Sequence, residues 1–243
     1  IRSEATYDAG DGIRHYLIAR YSWAHPHLFL DSWGKPFFTL LASPFAQFGL
    51  LGVNVFNILC FIFSGYFCFK IAEQLNTRYA LLAPFFLAFT TCYFPAMNSG
   101  LTEPLFGLVL IAAIYAAFVN KYFYSALILS FLPFVRSEGY LIVPAFALFL
   151  LLNKKYLHTL LLGVGTAAYS IVGYFHYNDF LWVIHQNPYN GANAAIYGHG
   201  PLLHFVHQYV FIWGTVLSCL LVPSLVCSMI KWRPMQVSSI QNK

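Results

Sequence analysis

Charge is what this sequence has least of. Only 9% of its 243 residues are Asp, Glu, Lys or Arg, while 59% are hydrophobic, and the mean hydropathy is +0.64. A soluble domain carries about 25% charged residues, so this composition cannot cover a water-exposed surface and points to a bilayer as solvent. No Lys/Arg-rich tract is present, so the formal charge of +5 does not indicate nucleic-acid binding. The five cysteines (Cys60, Cys68, Cys92, Cys219, Cys227) fall in apolar runs without CxxC spacing, which excludes a zinc or disulfide framework and leaves them as small core hydrophobes. A Gly-rich phosphate loop and a GxSxG motif are both missing, which excludes a soluble nucleotide-binding domain. The histidine pairs "HPH" (25–27) and "HFVH" (204–207) have no HExxH motif or matching acidic partner, so no metal centre is expected. The absence of an Asn-x-Ser/Thr sequon favours a bacterial plasma membrane over a secretory compartment.

What is present is apolar sequence punctuated by short polar connections. At roughly 20 residues per crossing, the length admits about seven spans plus loops. The apolar runs place crossings at 51–72, 79–97, 104–119, 122–135, 139–152, 157–176 and 205–230. The expected fold is an all-α polytopic bundle forming one membrane domain over 1–243. Its parts are an outer-face loop with interfacial helices (1–50), six spans (51–176), an outer loop (177–204) and a last span (205–230). The run 36–48, "PFFTLLASPFAQF", is short and carries Pro36 and Pro44, so it is read as an interfacial helix. A polar loop so close to Ile1, with no signal peptide, is expected of a fragment.

Seven crossings sort the charges. One side receives Lys70, Arg78, Lys121, Lys154, Lys155, Lys231, Arg233 and Lys243, and the positive-inside rule makes it cytoplasmic. The outer side then holds all acidic residues but Glu73, and all histidines but His158. Long outer loops explain the histidines equally well. They do not explain Glu103, Arg136 and Glu138, which sit in very short connections.

Three outer segments carry chemistry. In "LPFVRSEGY" (132–140), a short apolar hairpin places Arg136 and Glu138 below the headgroup level, where a charge is costly and marks function or a partner. The planar fork of Arg136 suits a phosphate, or a helix-tying pair with Glu138 or Glu103. In "SGLTEPLFG" (99–107), Thr102 is expected to cap a helix, with Glu103 on its positive end and Pro104 in its first turn; Glu103 is either a dipole partner or a substrate contact. In "YDAGDGIRHY" (7–16), Asp8 and Asp11 share a helical face, with His15 four residues after Asp11. A carboxylate there can act as general base toward a hydroxyl acceptor, or simply cap the amphipathic interfacial helix that follows. The Asn, Tyr, Trp and His content of the loop 177–204 suits a sugar or headgroup, and equally an ordinary surface loop.

Taken in order, "GDGIRHYLIAR", "GKPFFTLLASPFAQFG", "LTEPLFGLVLIAAIYAAF" and "PFVRSEGYLIVPAF" resemble the GT-C membrane glycosyltransferases. The likeness is strongest to the protein-mannosyltransferase and aminoarabinose-transferase branch, and it covers most of residues 7–152. The resemblance implies a polyprenyl-phosphate-linked sugar donor, an inverting transfer on the outer face to a glycan, lipid or protein acceptor, and no cofactor. Carried over by position, Asp11 is the catalytic base with Asp8 in reserve. Arg136 faces the donor phosphate with Lys35 as a second contact, and Glu103, Glu138 and His15 contact substrate. The chain departs from that pattern in having Gly12 where a second acidic residue often stands, and a single Pro36 after Lys35. Two rivals stay open: a non-catalytic subunit of a membrane complex, and a transporter of a lipid-linked anion. The second would require inverted repeats, and none is convincing here.

Overall fold

The computed structural model of the chain describes residues 10–90 and 93–186, together with Leu203, Gln208, Cys219 and Ser224. Almost all of these belong to one unit, Ile1–Phe89 with Tyr93–His199. In the second unit, Thr90–Cys92 with Gly200–Lys243, the described Cys219 and Ser224 are helical. Asp8, the "HFVH" stretch and all but three positions of the expected crossing 205–230 lie outside the described residues.

Among the described residues every regular element is helical and there is no strand. The order is α1 (Asp11–Tyr21), a 3-10 turn (Pro26–Leu30), α2 (Pro36–Ala46), α3 (Leu50–Gln74), α4 (Leu82–Ala88) and α5 (Tyr93–Met97). There follow α6 (Glu103–Phe118), α7 (Tyr122–Leu129), a second 3-10 turn (Leu132–Phe134), α8 (Gly139–Leu152), α9 (Tyr156–Leu161), α10 (Val164–Tyr177) and α11 (Trp182–His185). Two helices are long and apolar enough to cross a membrane: α3, and α9 with α10 taken together as Tyr156–Tyr177. At 1.5 Å per residue the 25 residues of α3 extend roughly 37 Å, more than a hydrocarbon core of about 30 Å.

The other apolar segments are shorter, for stereochemical reasons the sequence contains. The expected crossing 79–97 is divided into α4 and α5. Pro95 has no N–H to give to the preceding turn, so an unbroken helix through 89–95 would lose a backbone bond and meet a ring clash. Pro133 acts likewise: α7 stops at Leu129 and the chain tightens into the 3-10 turn. The amphipathic interfacial helix expected after Asp11 ends at Tyr21, and Pro26 opens a separate turn. The interfacial helix expected at 36–48 is α2, and it keeps Pro44 within it.

The core lies where α3 packs on α6, α6 on α7 and α2 on α3. Phe38, Val53, Leu105, Val109 and Leu129 meet there, and Ala113 lets helices approach closely. The Ser125 hydroxyl donates to the Ala113 carbonyl at 2.7 Å, which fixes α7 against α6. Gly49, at φ 82°, supplies the left-handed step that turns the chain from α2 into α3. That turn and the α3–α6 packing bring the starts of α1, α2 and α6 to one end of the bundle.

Candidate functional site

Three connections meet at that end. Asn57, fully buried on α3, donates from Nδ2 to the carbonyls of Ser99 (2.7 Å) and Leu101 (2.9 Å), so α3 braces the approach to α6. Gly100 lies against the backbone of Gly12, and a methyl group in its place would overlap the Gly12 carbonyl. The first turn of α1, with Asp11, is thereby seated on the segment that leads to Glu103.

The loop before α2 is equally constrained. The Asp31 carboxylate accepts from the Gly34 N–H at 2.7 Å, and the Thr39 hydroxyl donates to the Gly34 carbonyl at 2.9 Å. Lys35 sits between them at φ 60°, ψ 99°, a backbone conformation unfavourable for any side chain and unusual directly before a proline. Strain of this kind persists only where surrounding contacts fix it, and it is concentrated at functional sites. Its consequence is a buried lysine whose Nζ donates to Ser137 Oγ at 3.1 Å, from the turn that also carries Arg136 and Glu138. Arg14 stacks on the Trp33 ring at 4.8 Å and closes the side of this loop.

Arg136 is the hub. Its Nη1 pairs with Glu103 Oε1 at 2.5 Å and reaches the Thr102 hydroxyl at 3.5 Å. Its Nη2 and Nε both engage Glu138, at 2.6 Å and 3.1 Å to Oε1. Thr102 makes no capping bond to α6, contrary to expectation. Its backbone is already in the helical region, which turns the hydroxyl from the helix end toward Arg136. Glu138 likewise precedes α8 without capping it, its carboxylate being held by Arg136.

The side chains of Asp11, His15, Trp33, Lys35, Thr102, Arg136, Ser137 and Glu138 enclose one polar pocket of about 50 Å³. Asp11 is exposed on its rim, whereas His15 and Lys35 are buried. Burial pushes the Lys35 ammonium below its ordinary value, and the neighbouring Arg136 adds to that, against the pull of Glu138, Asp31 and Asp11. His15 is lowered by burial, with Asp11 opposing and Lys35 reinforcing. Burial acts against the charge of Arg136 and of Glu138. The hydrogen bonds between them prevail, so Arg136 is raised and Glu138 is lowered. The arrangement can hold an anion by exchange of Glu138, the more exposed of the two carboxylates on Arg136, and it offers a carboxylate and an imidazole to a group that must lose a proton.

A much larger apolar groove, about 490 Å³, begins two residues from each of Lys35 and Glu103, at Phe37 and Leu105. It runs between α2, α3, α6 and α7 past Phe67, Val109, Ala112 and Phe131.

The structure thus brings together every site residue read from the sequence except Asp8, which lies outside the described residues; Glu103 joins the cluster through Arg136. Sequence reading did not anticipate Ser137, Trp33, Asn57 or the inward turn of Thr102. The sequence signal for Ser137 was its place between two charged residues, and for Asn57 a lone amide with Asn54 in an apolar span. Comparison with protein-family models, with curated proteins and with solved structures finds no match to this chain.

Proposed function

We propose that the chain is a membrane glycosyltransferase of the GT-C kind, moving a sugar from a polyprenyl-phosphate donor to an acceptor glycan, lipid or protein. In this reading it crosses a bacterial plasma membrane about seven times and works on the face away from the cytoplasm. One observation carries it: two cations, Lys35 and Arg136, and one rim carboxylate, Asp11, from three separate segments, meet around a single polar pocket. The apolar groove that starts beside this pocket supports it further, because a lipid-linked anion needs both environments within one molecule. So does the exposure of Tyr156–Tyr177, where only 22% of the most apolar window is buried among the described residues.

In the transfer, Asp11 removes or orients the proton of the acceptor. The acceptor attacks the anomeric carbon from the face opposite the lipid phosphate. Lys35 and Arg136 stabilise charge on the departing phosphate, with Arg136 exchanging Glu138 for the donor. A second reading is favoured by the pairing of Arg136 itself. A guanidinium bound to two carboxylates can serve only to tie α6 to the 135–138 turn, as in a non-catalytic subunit of a membrane assembly. Binding of radiolabelled farnesyl phosphate to the full chain in nanodiscs separates the two. Saturable binding lost in Arg136→Ala and Lys35→Ala supports the transferase reading, and no saturable binding to the wild type supports the helix tie.

A further inference from the structure

His15 is 6% exposed, lines the polar pocket, and its Nδ1 meets no hydrogen-bond partner among the described residues. A buried nitrogen in that condition calls for a partner from the pocket. The nearby backbone of Gly100 and Trp33 favours the protonated ring, against the burial that lowers it. In a neutral imidazole that carries its proton on Nε2, Nδ1 is a lone-pair acceptor. Phe38, with ring centroids 5.8 Å away, packs against the imidazole and limits its rotation.

The pocket therefore asks its occupant for a proton donor at one point, beside cations at another. A phosphodiester answers the cations and has no proton to give. An ammonium has the proton but would add a third cation beside Lys35 and Arg136, in a pocket whose carboxylates, Asp11 and Glu138, number only two. A neutral hydroxyl meets both conditions.

We propose that His15 Nδ1 receives the hydroxyl of the acceptor, so that the acceptor is an alcohol and the base is His15 working with Asp11. This rests on the transferase reading above. As the acceptor O–H bond breaks, its proton passes to Nδ1 and its electron pair forms the bond to the anomeric carbon. The bond from that carbon to the phosphate oxygen breaks with its pair going to polyprenyl phosphate, which leaves as the dianion. The imidazolium, faced by Asp11 on its own helix and by Lys35 from the next loop, then returns the proton to water.

The test is 15N NMR of the histidine-labelled full chain in nanodiscs. The His15 signal is assigned as the one displaced by Asp11→Asn, a change at an exposed position, with His15→Asn as a second assignment. The expected result is an unprotonated Nδ1 between pH 6 and 8 whose resonance moves with methyl mannoside in the presence of farnesyl phosphate, and not with methylammonium. A protonated Nδ1, or one insensitive to methyl mannoside, overturns the proposal. Movement only with farnesyl-phosphoryl mannose assigns the contact to the donor sugar and also overturns it. Farnesyl phosphate binding and its loss in Arg136→Ala are read in the same samples, so failure of the donor reading is seen separately.

Discussion

Arg136 and Lys70 both pair with glutamate, at opposite ends of the same architecture, and the two pairs do different work. Lys70 and Glu73 are neighbours within α3, three residues apart, with partly exposed side chains 2.8 Å from each other. Lys70 stands 13 residues beyond Asn57, about 20 Å along the helix from the residue that braces the polar end. Its pair links positions that the helix already holds together. Arg136 joins Glu103, 33 positions away in sequence, and its turn also receives Lys35. A salt bridge of the first kind contributes little, because water solvates both partners in either state. In the second kind, loss of one partner leaves partly desolvated carboxylates facing each other. The lesson is that ion-pair distance does not measure consequence; the separation of the joined segments does.

That contrast can be broken at its strongest point first. Asp11→Asn is expected to lower sugar transfer by about 100-fold, the lower end of general acid–base catalysis, because the His15–Asp11 base loses its carboxylate, while farnesyl phosphate binding persists. Transfer assayed with lipid-linked sugar checks it, and retained activity removes Asp11 from the chemistry. Next, Arg136→Ala is expected to abolish farnesyl phosphate binding and to lower stability by about 1–3 kcal/mol, less than a fully buried pair because Glu138 is 53% exposed. Thermal unfolding in nanodiscs reads it directly. Lys70→Ala in the same assay should leave both binding and melting unchanged.

A smaller effect sharpens the division between pocket and groove. Ala112→Trp fills the apolar groove, so it should weaken binding of a long polyprenyl phosphate by about tenfold while leaving inorganic phosphate binding intact. The smallest effect is on pH. Lys35 is lowered in the folded chain, so the unfolded chain binds the proton more tightly. Stability therefore rises with pH through the window just below the ordinary lysine value of 10.5, where the cost of the buried charge is removed. Phosphate affinity should fall over the same window, as the cation is lost. His15, also lowered, predicts the acid counterpart: stability declines as pH falls below 6.5, where the unfolded chain gains the proton first. A binding and melting profile over pH checks both signs.

Much of the polar end could be read from the chain alone. Arg136, Glu103 and Glu138 stood out because charge in short apolar connections has few other uses, whereas Lys35 came only from the resemblance. The roles of Thr102 and Ser137 could not be read. Thr102 had the pattern of a helix cap, and only the placement of Arg136, 34 positions on, explains why its hydroxyl faces the pocket. Ser137 acquires meaning through Lys35, 102 positions earlier. Helix extents showed a similar limit. The apolar run 79–97 satisfies a hydropathy window, whereas Pro95 decides locally that it is divided. Composition is additive along a chain; backbone stereochemistry and tertiary partners are not.

The central claim is that the polar pocket holds a lipid-linked anionic sugar. Its most direct measurement is mass spectrometry of the lipids that co-purify with the full-length protein after gentle extraction, for the wild type and for Arg136→Ala. A polyprenyl-phosphate sugar is expected on the wild type and absent from the variant, which would also name the sugar. The same lipid in equal amount on both proteins, or none on either, would contradict the claim and leave Arg136 as a tie between helices.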